Sequence, residues 1–222
     1  MNLVVFDFCE TLVNFQTANA FIDFVVERKK TIWSRFIASL EMIFLHSRFF
    51  AVVDRFFPKY NISKRVNLMK IRGITEIDIN NFAINFHQNI INKRTIQPLL
   101  DELKRFVNNG DYVIIASGGY DVYLNLFAAD YKVKHIVSSK IKFNNGKASG
   151  FLLDGKDCLY EEKVIQLDKL IHANNLEFQH KISYTDSISD LTLLKWSNEG
   201  IVVSKGKSQN WPHTYNFKEI VL

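Results

Sequence analysis

From residue 96 onward, short apolar runs of strand length alternate with stretches of helical period, and this alternation constrains the fold more than any other feature of the chain. PLLDELKRFVNNG reads as a helix stopped by Gly110, and YVIIAS as a buried strand. Helical patterning follows at 120–131 and 161–174, and strand patterning at 135–138, 181–184 and 200–203. Strands separated by helices pair in parallel and have both faces covered. Near the N-terminus, Leu3-Val4-Val5-Phe6 adds another buried strand. KIKFNNGKASGFLL, at 140–153, carries turn residues between alternating apolar positions, the pattern of a hairpin. That hairpin is expected beside the functional face.

Residues 14–95 lack the alternation. They read as phenylalanine-rich helices at 17–30, 33–57 and 75–91, inserted between the first and second strands. Ligands of open parallel sheets bind outside the carboxyl ends of the strands, so an insertion leaving the first strand there would cover a site. The fold class is therefore α/β, with a parallel-sheet core at 1–13 and 96–222 and a helical cap at 14–95. No internal repeat or low-complexity linker separates the two.

A chain of 222 residues with 47% hydrophobic content can bury a full core. Its net charge of +5 suits an anionic substrate, although a modest lysine excess also serves solubility. With only Cys9 and Cys158, no signal-peptide pattern and no long uncharged apolar stretch, the expected location is the cytoplasm.

Four fragments fall at strand ends or helix starts: Asp7-Phe8-Cys9-Glu10-Thr11, Ser117-Gly118-Gly119, Lys163 in YEEKVIQL, and Asp186-Ser187-Ile188-Ser189-Asp190. A strand-end carboxylate such as Asp7 can attack phosphorus to form an acyl phosphate. A serine followed by two glycines can bind phosphate oxygens through its hydroxyl and bare N–H groups. Lysine supplies a point charge, and paired aspartates can hold Mg2+ with waters. Taken singly, each has a plainer reading as a cap, a turn or a solvated helix position. In this order they compose a phosphoryl-transfer site.

These motifs resemble the haloacid dehalogenase superfamily, and within it the phosphoserine phosphatase-like branch. FDFCETLV is similar to the D-x-D-x-T loop, IIASGGY to the serine motif, EEKVIQL to the lysine motif and SYTDSISDLTLL to the acidic metal motif. The resemblance spans nearly the whole chain and implies a Rossmann-like core with a helical cap after the first strand. It implies that Asp7 is the nucleophile and a Mg2+ ligand, joined by the backbone carbonyl of Cys9, by Asp186 and by the supporting Asp190. It makes Ser117 and Lys163 phosphate-handling catalytic groups, and Thr11, Gly118, Gly119 and the cap residue Arg65 substrate-binding groups. The implied partner is a small phosphorylated molecule.

Cys9 departs from that pattern. The family's phosphatases use a second aspartate there to protonate the leaving group and then activate water, whereas an ordinary thiol, with a pKa of about 8.5, is a poor base at neutral pH. Three readings follow: a slow or specialised phosphatase, a phosphotransferase, or a non-catalytic phosphate- and metal-binding module, in that order of preference. Dehalogenation of a carbon centre ranks lower. Within the cap, Arg35, Arg48 and Arg55 interleave with aromatic and aliphatic residues. Helix packing with arginines at the rim is preferred to contact with a membrane surface or lipid phosphate. No nucleic-acid-binding motif gathers the basic residues. Gln16 stands where the phosphoserine-specific branch tends to carry an acidic residue, which tells against phosphoserine.

Overall fold

The structure, a computed structural model, describes residues 1–45 and 61–222. Its organising strand is β1 (Leu3–Phe6), all four residues of which are buried. Val4 and Phe6 enter the apolar cluster on one face of the sheet; Leu3 and Val5 enter the cluster on the other. This is the two-sided burial that a parallel strand requires.

Five further strands complete the sheet: β2 (Tyr112–Tyr120), β3 (His135–Ser139), β6 (Lys181–Thr185), β7 (Glu199–Ser204) and β8 (Lys218–Val221). Their order is β3-β2-β1-β6-β7-β8, and every neighbouring pair is parallel. β2 and β3 build outward on one side of β1, and the later strands on the other. The order thus reverses at β1 and opens a crevice at its carboxyl end.

Between β1 and β2 run α1 (Thr17–Arg28), α2 (Ile32–Leu45), α3 (Ile62–Met69) and α4 (Glu76–Asn89). The helical stretch expected at 33–57 is realised in α2 as far as Leu45; its remainder, with Arg48 and Arg55, lies outside the described residues. The stretch expected at 75–91 is α4 followed by a 3-10 turn, Ile91–Lys93. The two ends of the insertion meet: Asn14 N–H donates to Arg94 O (2.9 Å) and Ile96 N–H to Leu12 O (2.8 Å).

Helices α5 (Gln97–Asn108) and α6 (Asp121–Asp130) pack on the same face as the insertion, while α7 (Glu161–Ala173) and α8 (Leu191–Trp196) cover the opposite one. Phe21 and Phe86 of the insertion share one cluster with Phe6 and Phe127 of the core. The short α9 (Asn210–Thr214) and the edge strand β8 have no counterpart in the sequence reading, because KEIV is too brief and too exposed to stand out.

The hairpin forms as β4 (Ile141–Asn144) and β5 (Lys147–Leu152), joined by Asn145 and Gly146 with φ of 48° and 69°. Two successive positive φ values give a turn whose twist matches the strands. The hairpin bonds to the insertion: Gly73 N–H donates to Ala148 O and Ala148 N–H to Ile74 O, both at 2.8 Å.

Candidate active site

Asp7 leaves the end of β1 with its N–H bonded to Tyr184 O of β6 (2.8 Å). Phe8 turns into the core and meets Phe127 edge-on, with centroids 4.9 Å apart. Asp7 and Cys9 are thereby left on the wall of a cavity of about 320 Å3. The chain then folds back: the N–H groups of Leu12 and Val13 both bond to Phe8 O, and Glu10 takes a left-handed φ of 58°. Backbone strain of this kind costs about 1–3 kcal/mol and persists only where surrounding bonds over-determine it.

Lys163, in the first turn of α7, is buried and donates to Asp7 Oδ1 (2.7 Å) and Asp190 Oδ2 (2.6 Å). Asp190 Oδ2 also accepts from Thr185 Oγ1 (2.8 Å), whereas buried Asp190 Oδ1 has no hydrogen-bond partner among the described residues. The Asp7 carboxyl is pushed up to about 7: burial raises it most, Lys163 pulls it down, and the charges of Asp190 and Asp186 raise it. Burial alone would lower the Lys163 ammonium, but Asp190 and Asp7 hold it well above the usual lysine range. It stays charged.

Thr11 is fully buried and stands behind Asp186, whose N–H it accepts (3.0 Å) and to whose Oδ1 it donates (3.2 Å). Its place is therefore that of a positioning residue for Asp186, away from the cavity wall. The fragment Ser117-Gly118-Gly119, read from sequence as a turn into a helix, instead lies within β2, where the pairing with β3 shifts between Ser117 and Tyr120. Ser117 and Gly118 line the cavity, and Ser117 Oγ accepts Gly119 N–H (3.0 Å). Gly119 lies behind them; a Cβ there would come within 2.7 Å of the Tyr123 hydroxyl.

That hydroxyl belongs to a buried relay. Tyr120 N–H donates to Tyr123 OH (2.9 Å), which lies 2.8 Å from Thr17 Oγ1, itself 3.1 Å from Cys9 Sγ. Thr17 N–H also points at Cys9 Sγ (3.5 Å). Tyr123 has one proton to give, and giving it to Thr17 leaves the Thr17 proton for the sulfur. Burial raises the Cys9 thiol, the Asp7 charge adds to this, and the bonds from Thr17 oppose it. The sulfur is a neutral thiol at neutral pH.

Across the cavity, the insertion contributes Lys64, on α3, rather than its neighbour Arg65. Lys64 Nζ donates to Gly118 O (2.5 Å), to Ser139 Oγ (3.1 Å) and to Asp157 Oδ1, in an ion pair buried on both sides. Arg65, expected to reach the substrate, donates instead to Gly155 O (2.8 Å) and lines a separate groove. Neither Lys64 nor the Cys9–Thr17–Tyr123 relay has a signal in the local sequence. The partners of Lys64 are 54, 75 and 93 positions away.

The model of one protein family, described as haloacid dehalogenase-like hydrolase, matches residues 4–195. The chain belongs to the haloacid dehalogenase-like hydrolases. No curated protein matches this hydrolase by sequence. Among solved structures, it is similar to a protein of unknown function from Bordetella pertussis Tohama I, with 16% identity, 99% of this chain and 97% of that one covered, and a TM-score of 0.74. It is also similar to a substrate-bound phosphoserine phosphatase (15% identity, 90% and 85% covered, TM-score 0.61). A third likeness is to cytosolic 5′-nucleotidase IIIB bound to cytidine (14% identity, 100% and 80% covered, TM-score 0.64). At these identities the likeness concerns the α/β fold, a parallel six-stranded sheet flanked by helices.

The donor set of this hydrolase fits a hard divalent cation. Asp7, Asp186 and Asp190 all line the cavity, Lys163 bridges Asp7 and Asp190, and among the described residues Asp190 Oδ1 is buried without a hydrogen-bond partner. Oxygen donors with space left for water suit Mg2+. Among the described residues, no group of three or more His, Cys, Asp or Glu side chains is placed so that it could hold a metal ion, so an ion here would also need carbonyl, water or substrate oxygens. The Cys9 sulfur, bonded to Thr17, leaves only its carbonyl for such an ion. Among the described residues, no helix is long and apolar enough to cross a membrane.

Proposed function

We propose that this hydrolase is a Mg2+-dependent phosphomonoester phosphatase that works through a phosphoaspartyl intermediate on Asp7, with residues 14–95 acting as its cap. The observation that carries the reading is the buried bridge of Lys163 to Asp7 and Asp190 at the crevice beside β1. It sets a carboxylate nucleophile, a fixed cation and two further acidic groups around one cavity.

In the first step a carboxylate oxygen of Asp7 attacks phosphorus as the ester P–O bond breaks. Lys163 and Ser117 hold the phosphoryl oxygens, and the leaving oxygen takes up one proton. In the second step water attacks phosphorus, loses a proton, and releases inorganic phosphate and the Asp7 carboxylate. Bound Mg2+, held by Asp7, Asp186 and the Cys9 carbonyl with Asp190 behind them, would offset the phosphoryl charge. Cys9 stands where the proton must be given and then taken, and its raised thiol makes it a slow acid.

The placement of Cys9 also supports a second reading, in which the phosphoryl group passes from Asp7 to an acceptor other than water. Phosphate release from a panel of phosphomonoesters with Mg2+, beside an acid-quench search for phosphate on Asp7, separates the two. Steady release supports hydrolysis, a stable adduct with little release supports transfer, and the absence of both defeats the phosphatase reading.

A further inference from the structure

The outer wall of the cavity has a chemical character of its own. Gln16, Asn19 and Asn61 contribute three carboxamides from the insertion, and Ser187 and Ser189 contribute hydroxyls from the loop after β6. Leu159 and Ala18 are its aliphatic members, and no aromatic side chain lines the cavity among the described residues.

Among the described residues, no charge on that wall is open to a ligand. An ammonium has three protons, and Lys64 spends its three on Gly118 O, Ser139 Oγ and Asp157 Oδ1. Arg65 lines a different groove. The carboxylates of the cavity, Asp7, Asp186 and Asp190, all sit at the phosphate end, around Lys163 and Thr11. Among the described residues, a substrate carboxylate would find no unspent cation beyond the phosphate, a substrate amine no unspent anion, and a nucleobase no ring to stack on.

Carboxamides offer a donor and an acceptor side by side, which matches alcohol groups. Asn19 is already oriented for this: Asn67 Nδ2 donates to its Oδ1 (3.1 Å), leaving the Asn19 NH2 group for a ligand. Gln16 occupies the N-cap position of α1 without using its side chain to cap it, so its amide is likewise uncommitted to the helix.

We propose that the substrate is an uncharged polyhydroxylated phosphomonoester, a polyol or sugar phosphate, whose hydroxyls are read by Gln16, Asn19 and Asn61. The assignment rests on the phosphatase reading for the phosphate end and adds the identity of the leaving group.

Non-hydrolysable phosphonates test it on the wild-type protein with Mg2+, by calorimetry, without relying on turnover. Methylphosphonate probes the phosphate end alone; the phosphonate analogues of sorbitol 6-phosphate, phosphoserine and cytidine 5′-monophosphate probe three leaving groups. The polyol phosphonate should bind at least about tenfold more tightly than methylphosphonate, the gain expected from one to three net hydrogen bonds. The serine and cytidine analogues should gain less than about threefold. Asn19→Leu, at an exposed position and with its fold checked by circular dichroism because Asn67 loses an acceptor, should erase most of the polyol gain and leave methylphosphonate binding unchanged. Tighter binding of the serine or cytidine analogue, or no polyol gain over methylphosphonate, overturns the assignment while leaving the phosphatase reading intact. Failure of every phosphonate to bind overturns both.

Discussion

The sulfur of Cys9 lies 3.1 Å from the Thr17 hydroxyl and accepts the Thr17 N–H at 3.5 Å. Both contacts are made by the first residue of α1, where the insertion begins its helical course. Cys9 is thus wired to the insertion, and through Thr17 and Tyr123 to the start of α6. A side chain in this seat is held as an acceptor. That suits a carboxylate better than a thiol.

Replacing Asp7 tests the nucleophile. Asp7→Asn should reduce phosphate release to background, because an amide neither attacks phosphorus nor ligates Mg2+ well. The fold should survive, since Lys163 keeps Asp190 and the variant removes a carboxyl that burial disfavours in its charged form. Circular dichroism with a phosphate-release assay checks both halves. Release near the wild-type rate would sink the phosphoaspartyl mechanism.

The carboxylate cluster predicts a linkage between pH and metal. In EDTA, the native Asp7 carboxyl is raised from 3.8 to about 7, so between those pH values the native state holds a proton that the unfolded chain has released. Stability therefore falls as pH rises across that window and levels off above it. Mg2+ binds the deprotonated form, so it should raise Tm clearly at pH 7.5 and much less at pH 5. Thermal unfolding with and without millimolar Mg2+ reads this out. An equal shift at both pH values would remove Asp7 from the metal site.

Lys64 and Asp157 predict a stability effect that needs no catalysis. Both are buried, and removing one leaves the other without its counter-charge, which typically costs about 3–5 kcal/mol. Lys64→Met should lower the urea midpoint by a corresponding amount, and Lys64→Met with Asp157→Leu should recover much of the loss. A double variant no better than the single one would mean that the bonds of Lys64 to Gly118 and Ser139 carry its worth.

Most of the fold was legible because its signals are local. LVVF and YVIIAS announce buried strands by composition alone, and Asp7, Lys163, Asp186 and Asp190 could be placed because each lies at the end of a strand or the start of a helix. What sequence could not supply was contact across the seam between the insertion and the sheet. Lys64 and Arg65 are adjacent, and only the direction of α3 decides which one faces Gly118 and which Gly155. The bonds of Thr11 were hidden for a similar reason: its partner Asp186 is 175 positions away, and a hydroxyl in such a loop reads alike whether it holds substrate or a neighbouring carboxylate. The continuation of β2 through Gly118 and Gly119 was hidden because paired glycines ordinarily mark a turn.

Cys9→Asp is the variant on which the acid/base argument turns. A carboxylate in that seat would accept the Thr17 hydroxyl and N–H that now address the sulfur, so its orientation is already provided. It could then protonate the leaving oxygen in the first step and deprotonate water in the second, and positioned general acid–base catalysis is typically worth about 10²- to 10⁴-fold. Phosphate release should rise within that range for alkyl phosphates, whose leaving alkoxides need a proton. It should rise less for aryl phosphates, which depart unaided and report mainly the faster hydrolysis of the intermediate. Adding Thr17→Val to Cys9→Asp should take back part of the gain by letting the carboxylate turn. A fall in activity with Mg2+ binding intact would show that the thiol itself is required, and would move the chemistry toward phosphoryl transfer from Asp7 to an acceptor that a carboxylate at position 9 repels.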